Sequence, residues 1–255
     1  MQLGLEGARV IVTAGAGGIG RAVLDAFLNE GAKVATCDID EKALADLPPG
    51  VSAYKVDVAD ADALARFVDT AIENLGGLDC LVNNAGIAGP TSPIEEIGLA
   101  DWDACLRIGL TSQYITAGRA VAALRRSSNA SIVNISSLAG RMGFAYRTPY
   151  AAAKWGVIGL TKSLAIELGG DNIRVNAILP GLVAGDRQKA VLQAKAERQN
   201  RSFAEVEADA FSYTSIKDYV APSLIADHVL FLAGRTGRLT SGETLSVCGN
   251  TRMLV

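Results

Sequence analysis

Residues 13–20, TAGAGGIG, constrain the fold of this chain more than any other stretch. They follow a short apolar run, residues 9–13 (RVIVT), and lead into residues 21–30, where Val23, Ala26 and Phe27 keep helical spacing before a stop at Gly31. Gly15, Gly17 and Gly20, with Gly18 and Ile19 between them, satisfy GxGxxG in the strand–turn–helix context that the pattern requires. Glycine lets the backbone turn sharply and lets a pyrophosphate approach the helix N-terminus, where free N–H groups and the helix dipole favour anions.

The rest of the chain repeats that rhythm. Residues 33–38 read as a second strand and 41–47 as a short helix; strands over 53–57 and 78–83 flank a helix over 61–75. A long helical pattern covers 102–124, strands follow over 131–136 and 174–179, and a helix over 221–232 precedes a last strand over 244–248. This alternation predicts an α/β fold with a parallel sheet covered on both faces. The 255 residues, 49% of them apolar, suffice for one large core, and no repeat or linker divides them. Residues 183–220 differ, being rich in Ala, Gln, Glu, Lys and Arg with helical character; a helical cap over a cleft is expected there.

A net charge of −3 gives no footprint for a nucleic-acid partner. Cys37, Cys80, Cys105 and Cys248 are scattered without a CxxC, as in a reduced, cytoplasmic protein. No signal peptide or membrane-spanning run is evident, so no membrane partner is expected. His228 is the single histidine, set among apolar neighbours, so neither a metal site nor a catalytic histidine is expected.

The chemistry centres on residues 131–155, SIVNISSLAGRMGFAYRTPYAAAKW. A buried strand gives way at Gly140 and Gly143 to a loop, and Thr148 and Pro149 read as an N-cap and a first helical position. Tyr150 and Lys154 then lie one turn apart on one helix face. A free tyrosine, with a pKa near 10, is a poor base at neutral pH. A cation about 5 Å away at an effective dielectric of about 20 stabilises the phenolate by about 3 kcal/mol. A phenol shifted in this way can exchange protons near pH 7. Ser137, leaving the strand end, is placed to donate to the same substrate oxygen.

With Ser137 thirteen residues before the tyrosine of YxxxK, the chain resembles the short-chain dehydrogenase/reductase family over residues 7–249. The resemblance implies a single-domain, Rossmann-type, doubly wound parallel sheet of about seven strands, with helices on both faces. It assigns Ser137, Tyr150 and Lys154 to catalysis and implies a nicotinamide cofactor. The family pattern TGxxxGxG holds except for Ala14 in place of its first glycine. Asp38, followed by uncharged Ile39, suits the adenosine ribose of NAD and repels the extra phosphate of NADP; Arg21 is expected to face away. Asp57 and Val58 match the adenine side, Asn83, Asn84, Ala85 and Gly86 the NNAG element, and Pro180, Gly181 and Val183 the turn beside the nicotinamide.

Two positions depart from the family. Gly109 stands where an asparagine usually helps to hold a proton-relay water, and Gly185 where a threonine often meets the cofactor amide. The resulting expectation is an NAD-dependent oxidoreductase acting on a small secondary alcohol or ketone of sugar, polyol or hydroxy-acid type. Substrate is expected to touch Ser137, Tyr150 and Arg147. The alternative is an NAD-binding regulator or scaffold whose turnover is lost through Gly109. Arg141, Arg147, Arg187, Lys189 and Arg198 allow an anionic substrate, although solvated surface is the plainer reading of these charges. The family also implies a homotetramer, built by pairing the helices over 102–124 and 150–168.

Overall fold

A computed structural model of the chain describes residues 2–252. Strands β1 (Arg9–Thr13), β2 (Lys33–Asp38), β3 (Ser52–Lys55), β4 (Cys80–Asn83), β5 (Ser131–Ile135), β6 (Arg174–Pro180) and β7 (Thr244–Val247) pair in parallel, in the order β3-β2-β1-β4-β5-β6-β7. Between and after them come helices α1 (Gly18–Asn29), α2 (Glu41–Ala45), α3 (Ala61–Leu75), α4 (Leu99–Leu106), α5 (Ser112–Leu124), α6 (Thr148–Glu167), α7 (Asp186–Gln199), α8 (Phe203–Ser212) and α9 (Pro222–Ala233).

The burial of each strand follows from this order. Central β4, β5 and β6 are buried at every residue, as a parallel sheet covered on both faces requires, whereas edge strand β3 alternates half-buried with exposed positions. Side-chain alternation divides the core in two. Val10 and Val12 face α1 and α9, packing with Phe27, Ile225 and Val229. Ile11, between them, faces the opposite layer with Leu64 and Val68 of α3 and Ala120 of α5. Burying a side chain such as Phe27 or Leu64 contributes about 2 kcal/mol.

Helix α3 shows how local sequence sets an element's ends. Asp60 caps it by accepting from the Ala63 N–H, Leu64, Phe67, Val68, Ala71 and Leu75 form its buried stripe, and Gly76 ends it at φ 74°. The long helical pattern over 102–124 is a composite: a five-residue π-helical turn, Arg107–Thr111, joins α4 to α5. Hydrophobic spacing does not resolve one widened turn inside a helix. At α6 the cap is Arg147 rather than Thr148, and its side chain makes no cap bond.

A buried polar chain crosses the middle of the sheet. Thr116 of α5 donates to Asn83 Oδ1, Asn83 Nδ2 to Asn134 Oδ1 at 2.9 Å, and Asn134 Nδ2 to Thr161 of α6 at 2.9 Å. Adjacent strands β4 and β5 are thereby tied to the two helices of one layer.

Candidate active site

From β1 the chain winds outward to β2 and β3, then returns to place β4 on the other side of β1. Loops leaving the carboxyl ends of β1 and β4 therefore diverge, and a crevice opens at that switch point. A cleft of about 650 Å³ lies there. It is bordered on one side by Gly17, Gly18, Ile19, Asp38 and Asn84, and on the other by Ser137, Arg147, Tyr150, Lys154, Pro180, Gly181 and Val183, with Gly86 between.

The first side is built mainly from backbone. Helix α1 starts at the cleft with Gly17 as its cap and no side chain bonded to its first N–H groups, leaving them for an anion. The GxGxxG glycines divide the labour. Gly17 and Gly18 border the cleft, but a Cβ on Gly20 would lie 2.1 Å from the Ala14 carbonyl and one on Gly15 2.2 Å from Thr36 Oγ1. Those two let the turn lie flat on the sheet. Asn84 Nδ2 donates to the carbonyls of Thr13 and Ala14 at 3.0 and 2.9 Å, so this asparagine also clasps the turn. Ala14 sits at φ 52°, a left-handed backbone that glycine adopts without strain and alanine does not.

Asp38 points its carboxylate at the cleft's edge, accepting from the Ala16 and Asp40 N–H groups, both at 3.2 Å. Arg21 turns away to fork Asp25. Ile39 is 66% exposed beside Asp38 and does not border the cleft. Nor do Asp57, whose Oδ1 accepts from the Ala59 N–H, or Val58 and Ala85, which are core residues.

The second side is built from side chains. The Ser136 hydroxyl donates to the Lys154 carbonyl at 2.8 Å, locking the end of β5 to α6. Lys154 sends its Nζ back to the Ile135 carbonyl at 2.8 Å. The loop follows closely because residue 140 is glycine; a Cβ there would lie 2.5 Å from the Lys154 carbonyl. Ser137, leaving the same strand, accepts from the Ala139 N–H through its Oγ. Lys154 Nζ lies 5.8 Å from the centre of the Tyr150 ring. Burial, aided by the charge of Arg187, lowers the Lys154 ammonium to about 7.

Sequence reasoning assigned Tyr150 one cationic neighbour; the structure supplies two. The Arg147 guanidinium stacks over the Tyr150 ring, 4.3 Å from its centre, and donates to the Ala88 carbonyl at 2.7 Å. An arginine three residues before a tyrosine carries no motif, and its stacking follows only once the loop and α6 are assembled.

At the position of the missing asparagine, Gly109 is buried in the π turn and its carbonyl accepts from Gln113 Nε2 at 3.3 Å. Gln113, 1% exposed, also approaches the Ile135 carbonyl that holds Lys154. An i,i+4 pairing makes a glutamine visible there, but its burial beneath the site is not legible in sequence. His228 bonds its own turn on α9, at the Leu224 carbonyl.

The family model of the short chain dehydrogenases matches residues 8–220. A 3-oxoacyl-[acyl-carrier-protein] reductase of Thermotoga maritima is 33% identical, the match covering 96% of this chain and 98% of that protein. A 2-(S)-hydroxypropyl-CoM dehydrogenase of Xanthobacter autotrophicus is 32% identical, covering 94% of both. Among solved structures, an NAD+-bound xylitol dehydrogenase superposes with a TM-score of 0.91 at 26% identity, over 96% of this chain and 99% of that one. The aldohexose dehydrogenase of Thermoplasma acidophilum gives 0.87 at 28% identity, over 97% and 95%. The chain belongs to the short-chain dehydrogenase/reductase family.

Proposed function

We propose that the protein is an NAD-dependent oxidoreductase that interconverts a small secondary alcohol and its ketone. Family membership makes it an oxidoreductase working with a nicotinamide cofactor, NAD or NADP. The observation that carries the fuller reading is the Tyr150 phenol, set in the cleft between Lys154 and Arg147 with Asp38 in the same crevice.

In the oxidation direction, Ser137 Oγ orients the substrate hydroxyl by donating to its oxygen. Tyr150 Oη takes the hydroxyl proton as the carbon–oxygen double bond forms. A nicotinamide held in the cleft would supply the hydride acceptor for the carbinol carbon. Lys154 and Arg147 place their cationic groups 5.8 and 4.3 Å from the centre of the Tyr150 ring, and Lys154 would hold the nicotinamide ribose. Gly17, Gly18 and Ile19, opening α1, would hold the pyrophosphate, while Asp38 would accept from the adenosine ribose. Pro180, Gly181 and Val183, which also border the cleft, would flank the nicotinamide.

Support for NAD comes from the Asp38 carboxylate and from the turning away of Arg21; the xylitol dehydrogenase neighbour was itself solved with NAD+. Helix α7 borders the cleft as a cap through Asp186, Arg187, Gln188 and Val191, and α8 packs behind it through Val206. Exposed Tyr114, Trp155 and Ile166 on α5 and α6 support pairing of those helices between subunits of a homotetramer. No helix among the described residues is long and apolar enough to cross a membrane, and we place the protein in the cytoplasm.

The test is turnover of a panel of secondary alcohols with NAD+ or NADP+, read as absorbance of the reduced cofactor. NAD+ is expected to exceed NADP+ by roughly tenfold or more in kcat/KM, and the double variant Asp38→Ala, Ile39→Arg is expected to reverse that order. No reduction of either cofactor with any alcohol defeats the enzyme reading; a preference for NADP+ defeats the cofactor assignment.

A further inference from the structure

The substrate side of the cleft holds positive charge that the protein leaves unanswered, and its other arginines show the contrast. Arg174, 7% exposed at the start of β6, is met by the carbonyls of Leu232, Ala233 and Gly237 and by Asn129 Oδ1. Arg9 forks Asp79 through Nε and Nη2, both at 2.8 Å. Arg147 has one acceptor, the Ala88 carbonyl, and its Nε is buried with no hydrogen-bond partner.

The Tyr150 ring under Arg147 holds the guanidinium in place but brings no full counter-charge. Arg187, in the first turn of α7, faces the same cleft and donates to the Gly86 carbonyl at 3.0 Å. Its charge and that of Lys154 share the cavity with Arg147, and the acids bordering it are Asp38, at the end of β2, and Asp186. Among the described residues neither arginine forms an ion pair with a carboxylate. For Arg147, whose Nε is cut off from water, going without an anion is costly. A ligand that supplies the anion repays that cost only on binding, which is how an unpaired charge becomes a source of specificity.

We propose that Arg147 and Arg187 form an anion subsite beside Tyr150, and that the alcohol turned over here carries a carboxylate close to the reacting carbon. A carboxylate matches a guanidinium in charge and planarity. Turnover of such an alcohol rests on the oxidoreductase reading; the subsite does not, and it is tested without turnover.

The probe is 3-hydroxy-3-methylbutyrate, a tertiary alcohol with no carbinol hydrogen to lose. Its neutral counterpart is 3-methylbutane-1,3-diol. Calorimetric titration of the full chain, with and without NADH, is expected to show the carboxylate binding roughly tenfold or more tightly than the diol. Arg147→Gln and Arg187→Gln each erase most of that ratio, and Arg147→Lys keeps part of it. Because Arg187 is exposed on α7, its variant carries the test if Arg147→Gln fails to fold. Equal binding of the two probes by the unaltered protein overturns the proposal. So does an unchanged ratio in Arg187→Gln accompanied by weakened NADH binding, which would assign that arginine to the dinucleotide. A carboxylate preference that persists while no alcohol is oxidised supports the subsite and sinks the oxidoreductase reading alone.

Discussion

The two sides of the crevice meet their ligands by different physical means. The β1–β2 side offers the backbone N–H groups at the start of α1, glycines that let a ligand approach, and one carboxylate, Asp38. The β5–β6 side offers side chains whose charges act on one another: Tyr150, Lys154, Arg147 and Arg187. Backbone groups keep their dipoles whatever the pH, so the first side is a fixed mould. Lys154 is shifted to about 7 and Arg147 and Arg187 lack carboxylate partners, so the second side responds to pH and to what binds. In the proposed reading, binding a dinucleotide and moving a proton are thus divided between a rigid region and a titratable one.

Three substitutions probe that division. The largest expected effect is at Tyr150→Phe, which removes the proposed proton carrier and leaves its ring to stack under Arg147. Turnover should fall by about 10²–10⁴-fold while the NAD/NADP preference, set on the opposite side, stays where it was. A turnover within about threefold of the unaltered protein would end the division of roles.

Second is Lys154→Met. In the free protein the folded-state pKa of Lys154, about 7, lies below the usual lysine value, chiefly through burial. Between those two values the unfolded chain binds more protons than the folded one, so stability rises with pH there and the gain disappears as pH falls through about 7. Denaturant unfolding should show a rise on the order of 2 kcal/mol from pH 7 to 9 that Lys154→Met abolishes. An identical pH slope in both proteins would show that the lysine is not shifted.

The smallest effect belongs to the fixed side. Ala14→Gly relieves a positive-φ alanine and should stabilise the protein by about 1 kcal/mol, raising Tm by roughly 2–4 °C. A lower Tm would mean that the methyl packs better than the backbone strain costs.

The same division decided what the sequence made legible. Gly17, Gly18 and Asp38 were readable because the motif and its place between strand and helix determine backbone geometry locally. The strand–helix alternation was readable for the same reason, and the ends of α3 fall where its apolar stripe and Asp60 place them. Position alone marks Arg147 as a substrate contact in the sequence. Its stack on Tyr150 and its single acceptor at Ala88 depend on how the loop after β4 meets α6. The motif groups Gly15 and Gly20 with the cofactor contacts, yet their need for glycine comes from Thr36 and Ala14 beneath them. The widened turn at Gly109 was invisible because one extra residue in a turn leaves the apolar spacing on either side intact.

The buried chain from Thr116 through Asn83 and Asn134 to Thr161 has a consequence for how accurately the crevice is made. Aliphatic side chains tolerate many offsets at little cost, but these amides find partners in one alignment only. Shifting β5 by a single residue would turn Asn134 to the opposite face and strand its neighbours, at about 1–3 kcal/mol for each orphaned group. Strand slippage is therefore all or nothing, and the serine and lysine that depend on the end of β5 inherit a placement that is indexed in whole residues.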